Sequence, residues 1–434
     1  MRSLFSLGLV ALAGGLFSLG CSPLTLGVQS RRLSASTVLA GRISGPIEWN
    51  GPIVVVAWAE RHGRLAMSRY RLLREAGEFA LIVPNGIYRL GAFGDINGNL
   101  ACDPGEPAGR YAGFRRLKVS GGVVSPLDFD LSEVDPKGLY LPPVLLLDSP
   151  PPPTTIEAGA IVRLEEDRFS KKSGRKGYWT PRTTLERTGA NVYFLEPYDP
   201  RRTPVLFVHG ATGTPRDWQY FIEHLDRSRF QAWVYSYPSG TGIDTLSDLL
   251  YWKLSNLKER FGFPGLHIAA HSMGGLVVRS LLGKYRERLG YVRTFASFST
   301  PWGGEQLARL APASVVSWAD MRPKGAFLTS LFQRELPAEV DFYLFFGYRG
   351  SRSLLRPAND GTVTLKSELA PPAQAEARQV FGFAEDHASI LASTDVVTLF
   401  NALLIRHSPP GGPLFSRTDR SPTERDVTKL VDQQ

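Results

Sequence analysis

From Pro204 onward the chain alternates two hydrophobic patterns. Short continuous apolar runs, Pro204–Val208, Gln231–Tyr237, Leu266–Ala270 and Val292–Ser299, read as buried strands. Between them stand longer stretches with apolar residues at helical spacing, Pro215–Leu225, Thr245–Phe261 and Leu276–Tyr285. A further apolar run, Phe342–Phe346, follows. Alternation of this kind predicts a mostly parallel sheet with helices on both faces. Upstream, from about Leu39 to Leu131, the pattern changes. Ile53–Trp58, Gly77–Pro84 and Tyr88–Phe93 read as strands, with an Asn85-Gly86 hairpin signal between the last two. No helical period appears there, so a small antiparallel β-sandwich over 36–140 is expected.

Proline and charge set the boundaries. Pro142-Pro143 and Pro150–Pro153 predict a semi-rigid linker over 141–160. Residues 161–406 then form the α/β unit, with Thr154–Arg202 leading into it. After Arg406 the chain is polar and rich in Pro and Gly, so 407–434 is expected to be a disordered tail. The chain has 434 residues, ample for two domains. Its formal charge is +9. The densest basic cluster, Arg168, Lys171, Lys172, Arg175, Lys176, Arg182 and Arg187, lacks interleaved aromatics. Nucleic acid is therefore not an expected partner, and the cluster reads as a solvated face or as one drawn to an anionic membrane.

The chemistry centres on Ala270-His271-Ser272-Met273-Gly274-Gly275. A serine between small residues, at the turn from a strand into a helix, has its hydroxyl lifted clear of the sheet. The helix N-terminus behind it favours developing negative charge. The usual pattern is Gly-x-Ser-x-Gly; here Ala270 stands at the first glycine. The bland alternative is a serine capping the helix. Upstream, the strand Pro204–Val208 ends in His209-Gly210-Ala211-Thr212-Gly213, small residues that can present a backbone N–H to an oxyanion.

These segments resemble α/β-hydrolases of the lipase and esterase type, among them bacterial triacylglycerol lipases and GPI-inositol-deacylase-like serine hydrolases. The His209-Gly210 loop, the elbow at Ser272, Ser299-Thr300-Pro301-Trp302-Gly303-Gly304, Asn359-Asp360-Gly361-Thr362-Val363 and Glu385-Asp386-His387-Ala388 carry the likeness. The resemblance implies a catalytic triad in the order Ser272, Asp360, His387, with an oxyanion hole from the N–H groups of Ala211 and Met273. The chemistry agrees. A serine hydroxyl needs a base, a histidine suits that role, and a carboxylate must fix the imidazole tautomer. His267 and His271 are expected to be packing or supporting residues, and His407 a solvated tail residue. Asp341 stands at the wrong end of its strand, Asp386 is adjacent to His387, and Asp395 belongs to the final helix. These are the rival acids. No catalytic cofactor is implied. The expected reaction is hydrolysis of carboxylic esters with apolar acyl chains, lipids included. Transfer to another alcohol, or an inactive domain serving as a surface binding protein, stays open. Trp302–Pro337, with Trp318, Phe327, Leu328, Leu331 and Phe332, is either a lid or acyl pocket, or core.

Two further features concern the N-terminal half. Met1–Cys21 has a basic start and an apolar stretch, then Ser18-Leu19-Gly20-Cys21, which resembles a bacterial lipobox. The resemblance implies lipidation at Cys21 and an exported, membrane-anchored lipoprotein facing the periplasm or the cell surface; a transmembrane anchor is the alternative, for which the apolar run is short and rich in glycine. Cys102, the other cysteine, then has no intrachain partner. The presumed sandwich resembles carboxypeptidase-regulatory-like modules. In its loop Asp95–Glu106, the residues Asp95, Asn97, Asn99, Asp103 and Glu106 fall at positions 1, 3, 5, 9 and 12 of a Ca²⁺-loop count. Leu100 replaces the EF-hand glycine. The loop is either a structural Ca²⁺ site on a β scaffold or an Asx-rich turn.

Overall fold

The computed structural model describes residues 23–45, 52–132, 141, 157–309, 316–350 and 357–407. The expected leader with Cys21, most of the expected linker and the tail beyond His407 lie outside these residues.

Among the described residues the N-terminal half holds nine strands: β1 (Ser36–Ser44), β2 (Ile53–Arg61), β3 (Arg64–Leu73), β4 (Gly77–Pro84), β5 (Gly86–Gly94), β6 (Ala108–Arg110), β7 (Leu117–Val119), β8 (Gly122–Val124) and β9 (Phe129–Asp130). They form two sheets, one ordered β4-β1-β8 with β9 beside β1, the other β3-β2-β5-β6 with β7 beside β5. Leu39 and Ile43 of β1, Phe79 and Leu81 of β4, and Ile53, Val55 and Leu90 of the second sheet share one core. The pairing is antiparallel as expected, except that the short β8 and β9 run parallel to β1. Both strands are two or three residues long, too short to show a period.

The second half is built on a seven-stranded sheet. Its strands are β10 (Asn191–Phe194), β11 (Thr203–Val208), β12 (Phe230–Ser236), β13 (Leu266–His271), β14 (Val292–Phe298), β15 (Asp341–Gly347) and β16 (Gln379–Phe383). The spatial order is β10-β12-β11-β13-β14-β15-β16, parallel except for β10, which runs against β12. This is an α/β-hydrolase fold. Successive side chains of a strand point to opposite faces. Val205 and Phe207 of β11 accordingly enter one core, and Leu206 and Val208 the other. Both faces are covered, which is why these strands are continuous apolar runs rather than alternating ones.

Helices of eight residues or more are α1 (Pro23–Ser34), α2 (Lys171–Trp179), α3 (Pro181–Thr188), α4 (Ile243–Phe261), α5 (Met273–Lys284) and α6 (Thr394–Arg406). Among the described residues, none is long and apolar enough to cross a membrane. Helix α4 stops at Gly262, whose φ of 60° is the left-handed conformation that ends helices. Its apolar stripe, Leu246, Leu250, Leu254 and Leu257, packs with α5 on one face of the sheet, and α6 covers the other.

The two halves are bonded to each other. Val38, Ala40 and Ile82 of the first sheet join the core around α4. Glu78 of β4 is fully buried there. It pairs with Lys253 of α4, and accepts hydrogen bonds from Asn256 Nδ2 (2.7 Å) and Ala158 N–H (3.1 Å).

Candidate active site

Strand β13 runs through the middle of the sheet and ends at His271. The next residue, Ser272, has φ 54° and ψ −128°, and α5 begins at Met273. A side-chain-bearing residue in this conformation is strained and persists only when its surroundings hold it. Ser272 N–H donates to Phe298 O (2.8 Å) and Gly275 N–H donates to Ser272 O (3.0 Å). The Ser272 side chain makes no capping hydrogen bond, so the helix-cap reading of this serine falls. Small residues around it are a geometric need. A Cβ on Gly274 would stand 2.5 Å from His209 O, and one on Gly210 would stand 2.8 Å from Ser272 Cβ. Ala270, in contrast, points its methyl into the apolar core.

Two loops beyond the carboxyl ends of the strands bring the partners. The segment after β15 carries Asp360, and the one after β16 carries His387. The Ser272 hydroxyl donates to His387 Nε2 (3.1 Å), and His387 Nδ1–H donates to Asp360 Oδ2 (2.5 Å). His387 N–H also donates to Asp360 O (2.8 Å), which locks the two loops together. The Asp360 side chain is fully buried, and its Oδ1 accepts from the N–H groups of Thr362 (2.9 Å) and Val363 (2.6 Å). Burial alone would raise its pKa. The hydrogen bond and charge of His387, with the two N–H donors, outweigh burial and hold it below the usual carboxylate range.

The rival acids are elsewhere. Asp386 turns its Oδ1 to the N–H groups of Ala388 (3.0 Å) and Ser389 (2.8 Å). Asp341, at the amino end of β15, pairs with Arg378 (2.5 Å) and His407 (3.0 Å). His407 is thus tied to the fold, also through Tyr343 OH (2.6 Å), and the expectation of a solvated residue is corrected. Its signal was weak because both partners lie more than sixty residues upstream.

Ala211 and Met273 flank Ser272 from the loop after β11 and from the first turn of α5. Among the described hydrogen bonds, neither N–H is taken. His209 supports that loop. Its Nδ1–H donates to Gly210 O (2.9 Å), its ring stacks on Tyr237 at 4.1 Å, and Tyr237 OH donates to His209 O. His271 Nε2–H donates to His387 O (2.8 Å). Burial pushes the pKa of His209 down to about 4 and that of His271 to about 3, so both rings are neutral. Sequence reasoning missed Tyr237, and also Glu368, a buried acid beside Asp360 to which nothing in the linear pattern points.

In the Trp302–Pro337 segment, Trp302, Leu328 and Leu331 are core residues, whereas Trp318, Phe327 and Phe332 are only partly covered. A cavity of ≈ 640 Å³ opens beside the loop after β11, lined by His209, Gly213, Thr214, Tyr237 and Tyr193. In the N-terminal loop the five oxygen-bearing residues are occupied with one another. Asp103 Oδ2 accepts from Asn97 (2.8 Å) and Asn99 (2.7 Å), and Glu106 accepts from the N–H groups of Ile96 (2.8 Å) and Asp103 (2.9 Å). Asp95 faces Leu100 N–H (3.3 Å). Among the described residues no three His, Cys, Asp or Glu side chains are grouped to hold a metal ion.

Residues 203–342 match the family model for the alpha/beta hydrolase fold. No curated protein matches the chain. Among solved structures, the chain is similar to the product of gene lin2722 from Listeria innocua, at 14% identity and a TM-score of 0.38, over 48% of this chain and 96% of that one. Est1E from Butyrivibrio proteoclasticus is similar at 12% identity and a TM-score of 0.37, over 50% and 93% of the two chains. A structure from a study of carboxylesterases of the thaumarchaeon Nitrososphaera gargenis is similar at 14% identity and a TM-score of 0.35, over 50% and 96%.

Proposed function

We propose that this chain is a serine hydrolase that cleaves carboxylic esters with apolar acyl chains through an acyl-serine intermediate. The observation that carries the reading is the hydrogen-bonded series Ser272 Oγ, His387 Nε2, His387 Nδ1, Asp360 Oδ2. As Ser272 attacks the ester carbonyl, its proton passes to His387 Nε2. The free N–H groups of Ala211 and Met273 receive the negative charge on the carbonyl oxygen, aided by the positive end of α5. Asp360 stabilises the imidazolium. His387 then gives the proton to the leaving alcohol, and water repeats the sequence on the acyl-serine. An apolar acyl chain is supported by the partly exposed Trp318, Phe327 and Phe332. Lipidation at Cys21 would anchor the enzyme to a membrane, close to acyl-lipid substrates.

The test is labelling by a fluorophosphonate, which reacts with activated serines, together with a panel of p-nitrophenyl esters of graded chain length. The wild type should label and should prefer longer acyl chains, and Ser272→Ala should neither label nor hydrolyse. Labelling of Ser272→Ala at the wild-type rate would refute the assignment. Product analysis with a competing alcohol separates hydrolysis from acyl transfer.

A further inference from the structure

The loop carrying Asp360 leads, through a bridge between Asn359 and Thr364, into a single helical turn, Leu365–Glu368. That turn is pinned. Leu365 N–H donates to Ala358 O (2.9 Å), Ser367 Oγ–H donates to Gly304 O (2.6 Å), and Gly303 N–H donates to Ser367 O (2.9 Å). Glu368 is fully buried as a result. Its carboxyl group faces Asp360, the hydroxyl of Ser299 at the end of β14 and the N–H of Gly347 at the end of β15. Neither of its oxygens, nor Ser299 Oγ, is in a hydrogen bond of normal geometry. Among the described residues, the charge that presses on it most is that of Asp360, which is itself bonded to His387.

Two carboxyl groups side by side in a dry site cannot both be ionised at modest cost. Asp360 has His387 and two backbone N–H groups to hold its charge, and Glu368 has no comparable partner. Resting on the triad reading above, we infer that Glu368 is a positioning residue, a neutral carboxylic acid that presents its proton to the Asp360 carboxylate and keeps that carboxylate aimed at His387 Nδ1. Burial first, and then the charge of Asp360, push its pKa up to about 9. The acid therefore keeps its proton at neutral pH and loses it in the alkaline range. Once ionised, Glu368 repels Asp360 in place of supporting it.

The experiment compares wild type, Glu368→Gln and Glu368→Ala in kcat/KM against pH from 6 to 10.5, with melting temperature recorded at each pH. The amide of Glu368→Gln is a neutral donor of the same shape. It should preserve activity at pH 7 within about threefold, whereas Glu368→Ala, with a void and no donor, should lose at least about tenfold. Wild-type kcat/KM should fall above about pH 9, and Glu368→Gln should lack that fall. The melting temperatures supply a readout independent of turnover. A group whose folded pKa is raised contributes stability that is present below its unfolded value, near 4.5, and is lost as pH rises through the folded value. The advantage of Glu368→Gln over wild type in melting temperature should therefore grow from pH 6 to pH 9. Superimposable wild-type and Glu368→Gln profiles, or Glu368→Ala at wild-type rate, would overturn the inference while leaving the triad standing. A wild type that fails to react with fluorophosphonate at Ser272 would overturn both.

Discussion

Substituting Asp360 by Asn separates the charge of the acid from its shape. Asp360 Oδ1 accepts two backbone N–H groups, from Thr362 and Val363, and Oδ2 accepts His387 Nδ1–H. Asparagine has one oxygen and one NH₂ to place at these positions. Turning the NH₂ toward Thr362 and Val363 would leave two buried N–H donors unpaired, at about 1–3 kcal/mol each. The amide oxygen therefore stays on the two N–H groups, and the NH₂ faces His387. Nδ1 must now accept a hydrogen bond, so the ring proton moves to Nε2, the nitrogen that has to receive the Ser272 proton. The imidazole is held in the wrong tautomer with its position unchanged. In a serine triad this substitution lowers kcat by about 10⁴, which is about 5 kcal/mol of transition-state stabilisation. The assay is hydrolysis of a p-nitrophenyl ester by wild type and Asp360→Asn, with melting temperatures as the folding control. A loss smaller than about a hundredfold in a normally folded variant would refute the tautomer argument. Asp386→Asn is the matched control and should be nearly silent, because that carboxyl serves its own turn.

Two other predictions concern the N-terminal half. Glu78→Ala leaves the Lys253 ammonium buried without its partner and should destabilise the protein by about 3–5 kcal/mol in chemical unfolding. Adding Lys253→Met should restore most of that loss, and a double variant no better than Glu78→Ala would contradict it. Burial acts to raise the Glu78 pKa, but Lys253 and Asn256 outweigh it and depress the value, so this contribution is present above the unfolded pKa and fades as pH falls through the folded one. For the Asp95–Glu106 loop, whose oxygens are held by N–H groups of the same loop, melting curves in EDTA and in millimolar Ca²⁺ should coincide. A rise with Ca²⁺, which would reach about 2.7 kcal/mol at a hundredfold excess over Kd, would show that the five residues rearrange around an ion.

What could be read from the sequence depended on pattern length and on how local each constraint was. Strands β11 to β15 are buried on both faces and five or more residues long, so each is visible as an apolar run. Strand β10, four residues next to two polar helices, offers too few positions for a pattern. Strand β16 is an edge strand with a glycine at Gly382 and an exposed Val380, and its alternation is blurred. Ser272 was legible because a sharp turn imposes small neighbours in sequence. Asp360 and His387 were legible through motif order. Glu368, Tyr237 and the His271 bond to His387 were not, because each acts through residues brought near only by the folded sheet.

The buried imidazoles clarify how the site keeps its geometry. Three histidines meet at the site, His209, His271 and His387, while His267 lies at the opposite end of β13 against Phe230. Burial drives the pKa of His209 to about 4 and of His267 and His271 to about 3. A protonated His271 would put a cation against the His387 ring, whose centroid is 4.7 Å away, and would oppose the imidazolium of the proposed mechanism. Kept neutral, His271 instead donates one hydrogen bond to the His387 carbonyl and fixes the loop that bears the base. His209, also neutral, holds the loop after β11 through Gly210 and Tyr237 without adding charge beside Ser272. The field at Ser272 is thus set by Asp360, by His387 and by the N-terminus of α5, while the other histidines contribute shape.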